Sequence, residues 1–254
     1  MAEIEFYPEK DQHLLKDKFV LSKEVGEAML SKADKVIEIG AGTGILTERL
    51  AQKAGEVCAF EVDERFSESL DKIKERHSNL KIVYGNALDY SWKGYNKIVS
   101  NIPYTLSEAI IQKAIREKIE ALVLIVSNQF KDSMLSDTKF GIIANLFFEI
   151  ELIMPVSRKA FFPSPKIESF MIKLKRKKPA NKTEDILRGI LLKEGKTKNA
   201  LMYSLVKEGK TKNQAREIIE KMGIPENILG KSIKKASGKF ILILKEDLNK
   251  IIFP

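Results

Sequence analysis

Lys35-Val36-Ile37-Glu38-Ile39-Gly40-Ala41-Gly42-Thr43-Gly44 is the stretch whose reading decides the fold. Five residues of buried-strand character run into a glycine turn, and Ile45 to Lys53 continue with a helical pattern. Strand, glycine turn and helix in that order form the front half of a nucleotide-binding βαβ unit. Glycines permit the tight turn and let a ligand approach the backbone closely. The spacing narrows the ligand. A dinucleotide fingerprint needs G-x-G-x-x-G, and the residue three beyond Gly42 is Ile45. The form present, E-x-G-x-G-x-G, lacks the glycine that serves pyrophosphate. That weakens NAD or FAD and fits a phosphate-free ligand held by backbone contacts beside the turn.

The next strand pattern, Glu56 to Phe60, ends in Glu61-Val62-Asp63. Glu61 lies 21 residues after Gly40, where an acid at a strand tip can accept both ribose hydroxyls of a nucleoside. Its plain alternative is a helix cap or a solvated carboxylate; if Asp63 is the cap, Glu61 is left for the ribose. A third strand, Lys81 to Tyr84, ends in Gly85-Asn86-Ala87-Leu88, where a polar side chain would sit beside the adenine of a nucleoside on the sheet edge.

The fourth strand, Lys97 to Val99, delivers Ser100-Asn101-Ile102-Pro103-Tyr104. Asn101 offers an acceptor oxygen. Pro103 biases Ile102 toward an extended conformation, which can hold its carbonyl outward as a second acceptor. Tyr104 adds a flat face with a polar tip. Two acceptors and a ring suit a planar base bearing an exocyclic amine; the competing reading is a strand-to-helix turn with Ser107 near the N-cap and Tyr104 in the core. A helix from Ser107 to Arg116, a fully apolar strand from Ala121 to Val126 and a helix from Gln129 to Ser136 follow. Gly141 to Met154 suits helix and strand alike. Phe161-Phe162-Pro163-Ser164-Pro165-Lys166 reads as an extended loop with a phosphate-seeking charge, and Phe170 to Leu174 closes the sheet. Alternating β and α elements from Val36 to Leu174 imply an α/β fold, an open, mostly parallel sheet with helices on both faces.

Of 254 residues, 44% are hydrophobic, enough for a sizeable core, and the formal charge is +9. Met1 to Ile172 holds 23 Lys and Arg against 26 Asp and Glu, whereas Lys173 to Pro254 holds 21 against 9. The basic excess is therefore confined to the C-terminal third, the footprint of a polyanion partner, nucleic acid before anionic membrane. One cysteine, Cys58, and two histidines, His13 and His77, supply neither a disulfide framework nor a well-furnished metal site or Ser-His-Asp triad. The first residues show no export or transit pattern, and no apolar run is long enough to span a bilayer, so we expect a soluble, cytoplasmic protein. The charged, Pro-containing stretch Lys175 to Lys182 reads as a linker between a domain over 1–176 and a basic helical one over 183–254. In the latter, helices are expected over 183–192, 198–207 and 213–222. Phe240 to Leu244 suits a strand and 244–252 a last helix.

Taken in order, these motifs resemble the KsgA family of small-subunit ribosomal RNA adenine dimethyltransferases, from Gln12 to about Leu248. Gln12-His13-Leu14-Leu15 resembles the family's N-terminal motif, with Leu14 replacing the usual Phe. Glu38 to Gly44 resembles its cofactor motif, Asn101-Ile102-Pro103-Tyr104 its catalytic motif, Phe161-x-Pro163-x-Pro165-Lys166 its proline loop, and Lys198-Asn199-Ala200-Leu201 the start of its second C-terminal helix. The resemblance implies a class I, Rossmann-like methyltransferase sheet plus a small, mainly helical C-terminal domain. It implies S-adenosylmethionine as cofactor, held by Gln12, His13, Leu15, Gly40, Gly42, Glu61, Val62, Asn86 and Asn101. Catalysis would fall to Asn101, Ile102, Pro103 and Tyr104, with Phe161 or its neighbour Phe162 on the far face of the base, the F-x-P register favouring Phe161, and RNA contact to Lys166, Lys196 and Lys198. No metal is implied. The implied substrate is a pair of adjacent adenosines near the 3′ end of the small-subunit RNA in an immature small ribosomal subunit, and a monomer is the default. The family usually carries Asp where this chain has Asn86, so we expect weaker cofactor binding. Two rivals remain: the related Erm type, which acts on large-subunit RNA, and a non-catalytic RNA-binding assembly factor on the same fold.

Overall fold

A computed structural model of the chain describes residues 13–252. A two-residue strand, β1 (Leu14–Leu15), is followed by helix α1 (Lys18–Glu27), capped by the Asp17 carboxylate on Phe19 N and Val20 N. Then come β2 (Lys35–Ile39), α2 (Ile45–Lys53), β3 (Glu56–Glu61), α3 (Ser67–Arg76), β4 (Leu80–Tyr84), β5 (Lys97–Asn101), α4 (Ser107–Arg116) and β6 (Ala121–Ser127). Helices α5 (Asn128–Leu135) and α6 (Lys139–Phe147), β7 (Phe148–Val156), the short β8 (Phe161–Phe162) and β9 (Ser169–Arg176) complete the α/β part.

Seven strands form one sheet in the order β4-β3-β2-β5-β6-β9-β7. β2 to β6 are mutually parallel, and β9 runs antiparallel to both β6 and β7. Leu122 to Val126 are all buried, which requires cover on both sheet faces and accounts for an apolar run without alternation. β7 is an edge strand, which is where Pro155 and the register shift between Leu152 and Met154 are tolerated.

The chain lays β2, β3 and β4 outward in one direction, then crosses back to place β5 on the other side of β2. Strand order reverses there, and a crevice opens at such a point. The β2–β5 ladder pairs only Val36 with Lys97 and Ile37 with Ile98. Beyond it the buried Ser100 hydroxyl bridges the strands, donating to Ile39 O at 2.7 Å and accepting from Ile39 N at 3.2 Å. The crevice is thus held at its floor and open above.

By its internal contacts the chain divides into two units. The first runs to Ser133 and resumes over Phe148–Arg176; the second joins Met134–Phe147 to Lys177 and beyond. A single boundary in the linker leaves Met134–Phe147 in the other domain. Within the second unit, buried Arg188 explains the attachment: it donates to the Leu146 carbonyl and, at 2.7 Å, to the Lys177 carbonyl, and pairs with Glu184 at 2.6 Å. This unit is helical, with α7 (Lys182–Leu192), α8 (Thr197–Lys207), α9 (Lys212–Lys221), α10 (Glu226–Leu229) and α11 (Gly238–Ile252). The strand expected over Phe240–Leu244 is instead the start of α11. Ile241, Leu244 and Leu248 are all buried, at the three- and four-residue spacing of one helix face. The ambiguous run 141–154 resolves into the end of α6 followed directly by β7. No helix among the described residues is long and apolar enough to cross a membrane.

Candidate active site

A cavity of about 460 Å³ opens at the C-terminal ends of β2, β3 and β5, within the first unit. Its walls come from His13 to Leu15, the glycine turn, the segment after Glu61, and Asn101 to Tyr104. Gly42 has φ +54°, and a Cβ there would lie 2.6 Å from Leu14 Cδ2, so glycine is what lets the N-terminal arm close on the turn. Gly44 has φ +83°, and a Cβ would lie 2.3 Å from Ile73 Cδ1. The last glycine therefore serves the packing of α2 on α3 and leaves the ligand to the first two.

Glu61 is buried at the cavity wall. Its Oε2 accepts from Gly42 N at 2.7 Å, and its Oε1 accepts from Val62 N and Asp63 N, both at 2.9 Å. Burial pushes its carboxyl above the ordinary value, against the pull of these three amides. Asp63 caps the short turn that follows, accepting from Arg65 N at 3.1 Å, but Glu61 is not thereby free. Three of about four acceptor sites on a carboxylate are occupied. The arrangement makes Glu61 the clasp between the tip of β3 and the glycine turn, with about one acceptor site left over.

Asn101, at the end of β5, donates from Nδ2 to the His13 carbonyl at 3.0 Å. Its Oδ1 accepts no hydrogen bond among the described residues and remains an open acceptor at the cavity. The His13 ring in turn bonds through Nδ1 to the Pro163 carbonyl at 2.9 Å, which assigns the proton to Nδ1. Beside it β1 pairs with β8, Leu14 against Phe162 and Leu15 against Phe161. The arm and the proline loop, distant in sequence, meet over the crevice. Tyr104 is half-buried at the cavity edge, its hydroxyl 2.5 Å from Ser169 Oγ.

Several expected residues stand elsewhere. Phe161 is 2% exposed and packs in the core, so its ring offers no open face; Phe162 is 56% exposed. Asn86 is exposed, is absent from the cavity lining, and spends its Oδ1 on Leu88 N at 3.1 Å. Gln12 lies outside the described residues. Lys166 is exposed on the first unit, and Lys196 and Lys198 are exposed on the second, where Lys198 Nζ is 3.7 Å from Glu226.

The sequence reading put Glu38 at the start of the cofactor motif but gave it no role of its own, and it lines the cavity with Oε2 unpartnered and is 2% exposed. Burial, with the Glu24 and Glu61 carboxyls nearby, raises its carboxyl well above the ordinary range. An acid inside an apolar strand was the available signal. A buried carboxyl with one oxygen unpartnered on a cavity wall can take a hydrogen bond with a polar ligand group, and the cavity volume is within the range of small-ligand sites. These residues fit a sulfonium nucleoside bearing an amino acid.

The ribosomal RNA adenine dimethylase family matches residues 6–236. This chain belongs to that family. Members similar to it include a probable ribosomal RNA small subunit methyltransferase A of Methanococcus maripaludis (strain C7), 34% identical over 243 residues, which are 90% of this chain and 88% of that one. A protein of the same description from Thermococcus gammatolerans is 32% identical over 171 residues, 65% of this chain and 61% of the relative. The match therefore spans about three-fifths of that relative's length. Among solved structures, a dimethyladenosine transferase from Plasmodium falciparum is 25% identical with a TM-score of 0.65, covering 94% of this chain and 98% of that one. The 23S rRNA methyltransferase ErmE, 22% identical with a TM-score of 0.64 over 93% and 99%, shares the fold. The dimethylase family's class I methyltransferase sheet, with its helical C-terminal part, is the architecture described above.

Proposed function

We propose that this protein is an S-adenosylmethionine-dependent ribosomal RNA adenine dimethyltransferase. It methylates the exocyclic amine of two adjacent adenosines near the 3′ end of the small-subunit RNA, in the immature subunit and in the cytoplasm. The observation that carries this reading is Asn101: its amide nitrogen is tied to the arm, and its oxygen is left as an acceptor beside the glycine-turn cavity.

The glycine turn, His13, Leu15, Glu61, Val62 and Glu38 would hold the cofactor, which supplies an electrophilic methyl group when bound. The adenine amine is a poor nucleophile because its lone pair is delocalised into the ring. Asn101 Oδ1 and the Ile102 carbonyl accept its two hydrogens, turn the nitrogen toward sp³ and aim its lone pair. Asn101 is neutral, so the proton leaves after transfer. Holding the reacting groups in such geometry contributes roughly 7–11 kcal/mol. The base must leave its stack to enter. Tyr104 takes one face, and stacking on a ring is worth about 1–3 kcal/mol. Lys166 and the exposed lysines Lys196 and Lys198 meet the phosphate backbone. The relatives' descriptions favour the small subunit over the Erm-type target.

The test uses purified protein, labelled S-adenosylmethionine and unmodified small subunits, with large subunits in parallel and mass spectrometry of the digested RNA. Dimethyladenosine at adjacent small-subunit positions is expected. Product only in the large subunit would reassign the target, and no product in either would overturn the reading.

A further inference from the structure

Ser169 belongs to no site assigned above, yet it touches one. It is fully buried and opens β9 immediately after the proline loop. Its backbone is paired on both sides, with Ser127 of β6 and Val156 of β7. The position of its hydroxyl is therefore set by three strands. That hydroxyl meets the Tyr104 phenol at 2.5 Å. A tyrosine ring turns about two side-chain torsions, and a hydrogen bond at its far end restrains both.

The loop before Ser169 is itself braced. Arg158 pairs with Glu168 at 3.1 Å and donates to the Lys166 carbonyl at 3.2 Å, and Ser164 donates to the Arg158 carbonyl at 3.0 Å. Asn128 N holds the Glu168 carbonyl at 3.1 Å. At the loop's start, the Pro163 carbonyl takes the His13 ring, and the His13 carbonyl takes the Asn101 amide. One end of the loop thus reaches Asn101 through His13, and the other reaches Tyr104 directly.

We propose that Ser169 is a positioning residue for the substrate base: its hydroxyl holds the Tyr104 ring in the plane that stacks the flipped adenine, in register with the Asn101 acceptor. The proposal rests on the reading of Tyr104 as the base-stacking ring. It assigns Ser169 no contact with the substrate or the cofactor.

The experiment is a double-mutant cycle on the full chain, with Ser169→Ala, Tyr104→Phe and both together. Methyl transfer to unmodified small subunits is measured with cofactor titrated independently. Each single variant is expected to lose about tenfold in kcat/KM for the RNA, the size of one hydrogen bond. The cofactor KM should not move, and the double variant should lose no more than either single one. Additive losses, or Ser169→Ala at wild-type kcat/KM, would overturn the proposal. NMR of protein labelled in its tyrosine rings reads the tether without substrate. The Tyr104 ring signals should shift and the ring flip faster in Ser169→Ala, and unchanged signals would overturn the proposal. Wild-type protein inactive on RNA would instead defeat the functional reading, while the ring signals still judge the tether.

Discussion

The amide nitrogen of Asn101 and the carbonyl oxygen of His13 lie 3.0 Å apart, although the residues are 88 positions apart in the chain. The contact fixes which end of the carboxamide is tied to the arm and leaves the oxygen for the cavity. Asn101→Ala removes the acceptor but leaves the glycine turn and Glu61 in place. Cofactor affinity should change little, while transfer falls by about 10²–10³, the usual cost of losing a preorganised polar partner. Asn101→Asp should be as damaging, because a carboxylate oxygen would face the His13 carbonyl. Single-turnover transfer and a cofactor titration on each variant check both statements; wild-type transfer by Asn101→Ala would refute the mechanism.

Asn86 spends its side-chain oxygen capping the turn Ala87–Asp89 through Leu88 N. An aspartate there keeps that cap and still presents a second, charged oxygen. Asn86→Asp should therefore bind S-adenosylmethionine several-fold more tightly, since hydrogen bonds to ionised groups are roughly twice as strong. Asn86→Ala should cost about 0.5–2 kcal/mol of stability through the lost cap. Calorimetric titration and thermal melts read the two effects, and unchanged affinity in Asn86→Asp would show that this residue, outside the cavity lining, does not reach the cofactor.

Phe161 and Phe162 are neighbours with opposite environments. Phe161→Ala empties a core position and should cost about 3–5 kcal/mol. Phe162→Ala should leave the melting temperature nearly unchanged, because that ring is 56% exposed. Phe162 is the more exposed ring, with Lys16 Nζ 5.8 Å from its centroid, so its removal should lower kcat/KM for the RNA and not the cofactor affinity. Melting curves beside RNA methylation rates separate packing from stacking.

Glu24 is wholly buried on α1 with neither carboxyl oxygen partnered. Burial raises its pKa from 4.5 to about 8. Between those values the folded chain keeps a proton that the unfolded chain has released, so each rise in pH favours unfolding. The contribution is complete below about pH 4.5 and is lost as the pH passes 8. Glu38 is raised in the same direction and adds to the slope. Glu24→Leu should raise the melting temperature at pH 8 and flatten its decline from pH 6 to 8. A decline as steep as the wild type's would show that Glu24 is not its source.

Much of the architecture was readable from residue patterns. Val36-Ile37-Glu38-Ile39 and Ala121 to Val126 read as buried strands because parallel strands are covered on both faces. The E-x-G-x-G-x-G spacing located the crevice because a tight turn needs particular residues at particular offsets. Phe240–Leu244 misled because a short apolar run suits both elements, and only the burial of Ile241, Leu244 and Leu248 on one face distinguishes them. Met134–Phe147 groups with the second unit through contacts no local pattern announces, among them Arg188, 42 positions beyond Leu146, donating to the Leu146 carbonyl.

The sequence by itself determined the order of strands and helices from Lys35 to Val126, the glycine turn and the Asn-Ile-Pro-Tyr motif after β5. These are local properties, set by periodicity, by the missing Cβ of glycine and by the rigid ring of proline. The tertiary structure alone decided which oxygen of Glu61 the glycine turn occupies, which way the Asn101 amide points, which phenylalanine is buried and what holds the Tyr104 ring. Each of these depends on a hydrogen bond or a packing contact between segments far apart in the chain, 65 positions for Tyr104 and Ser169 and 150 for His13 and Pro163. Such contacts exist only once the sheet has brought its strand ends together.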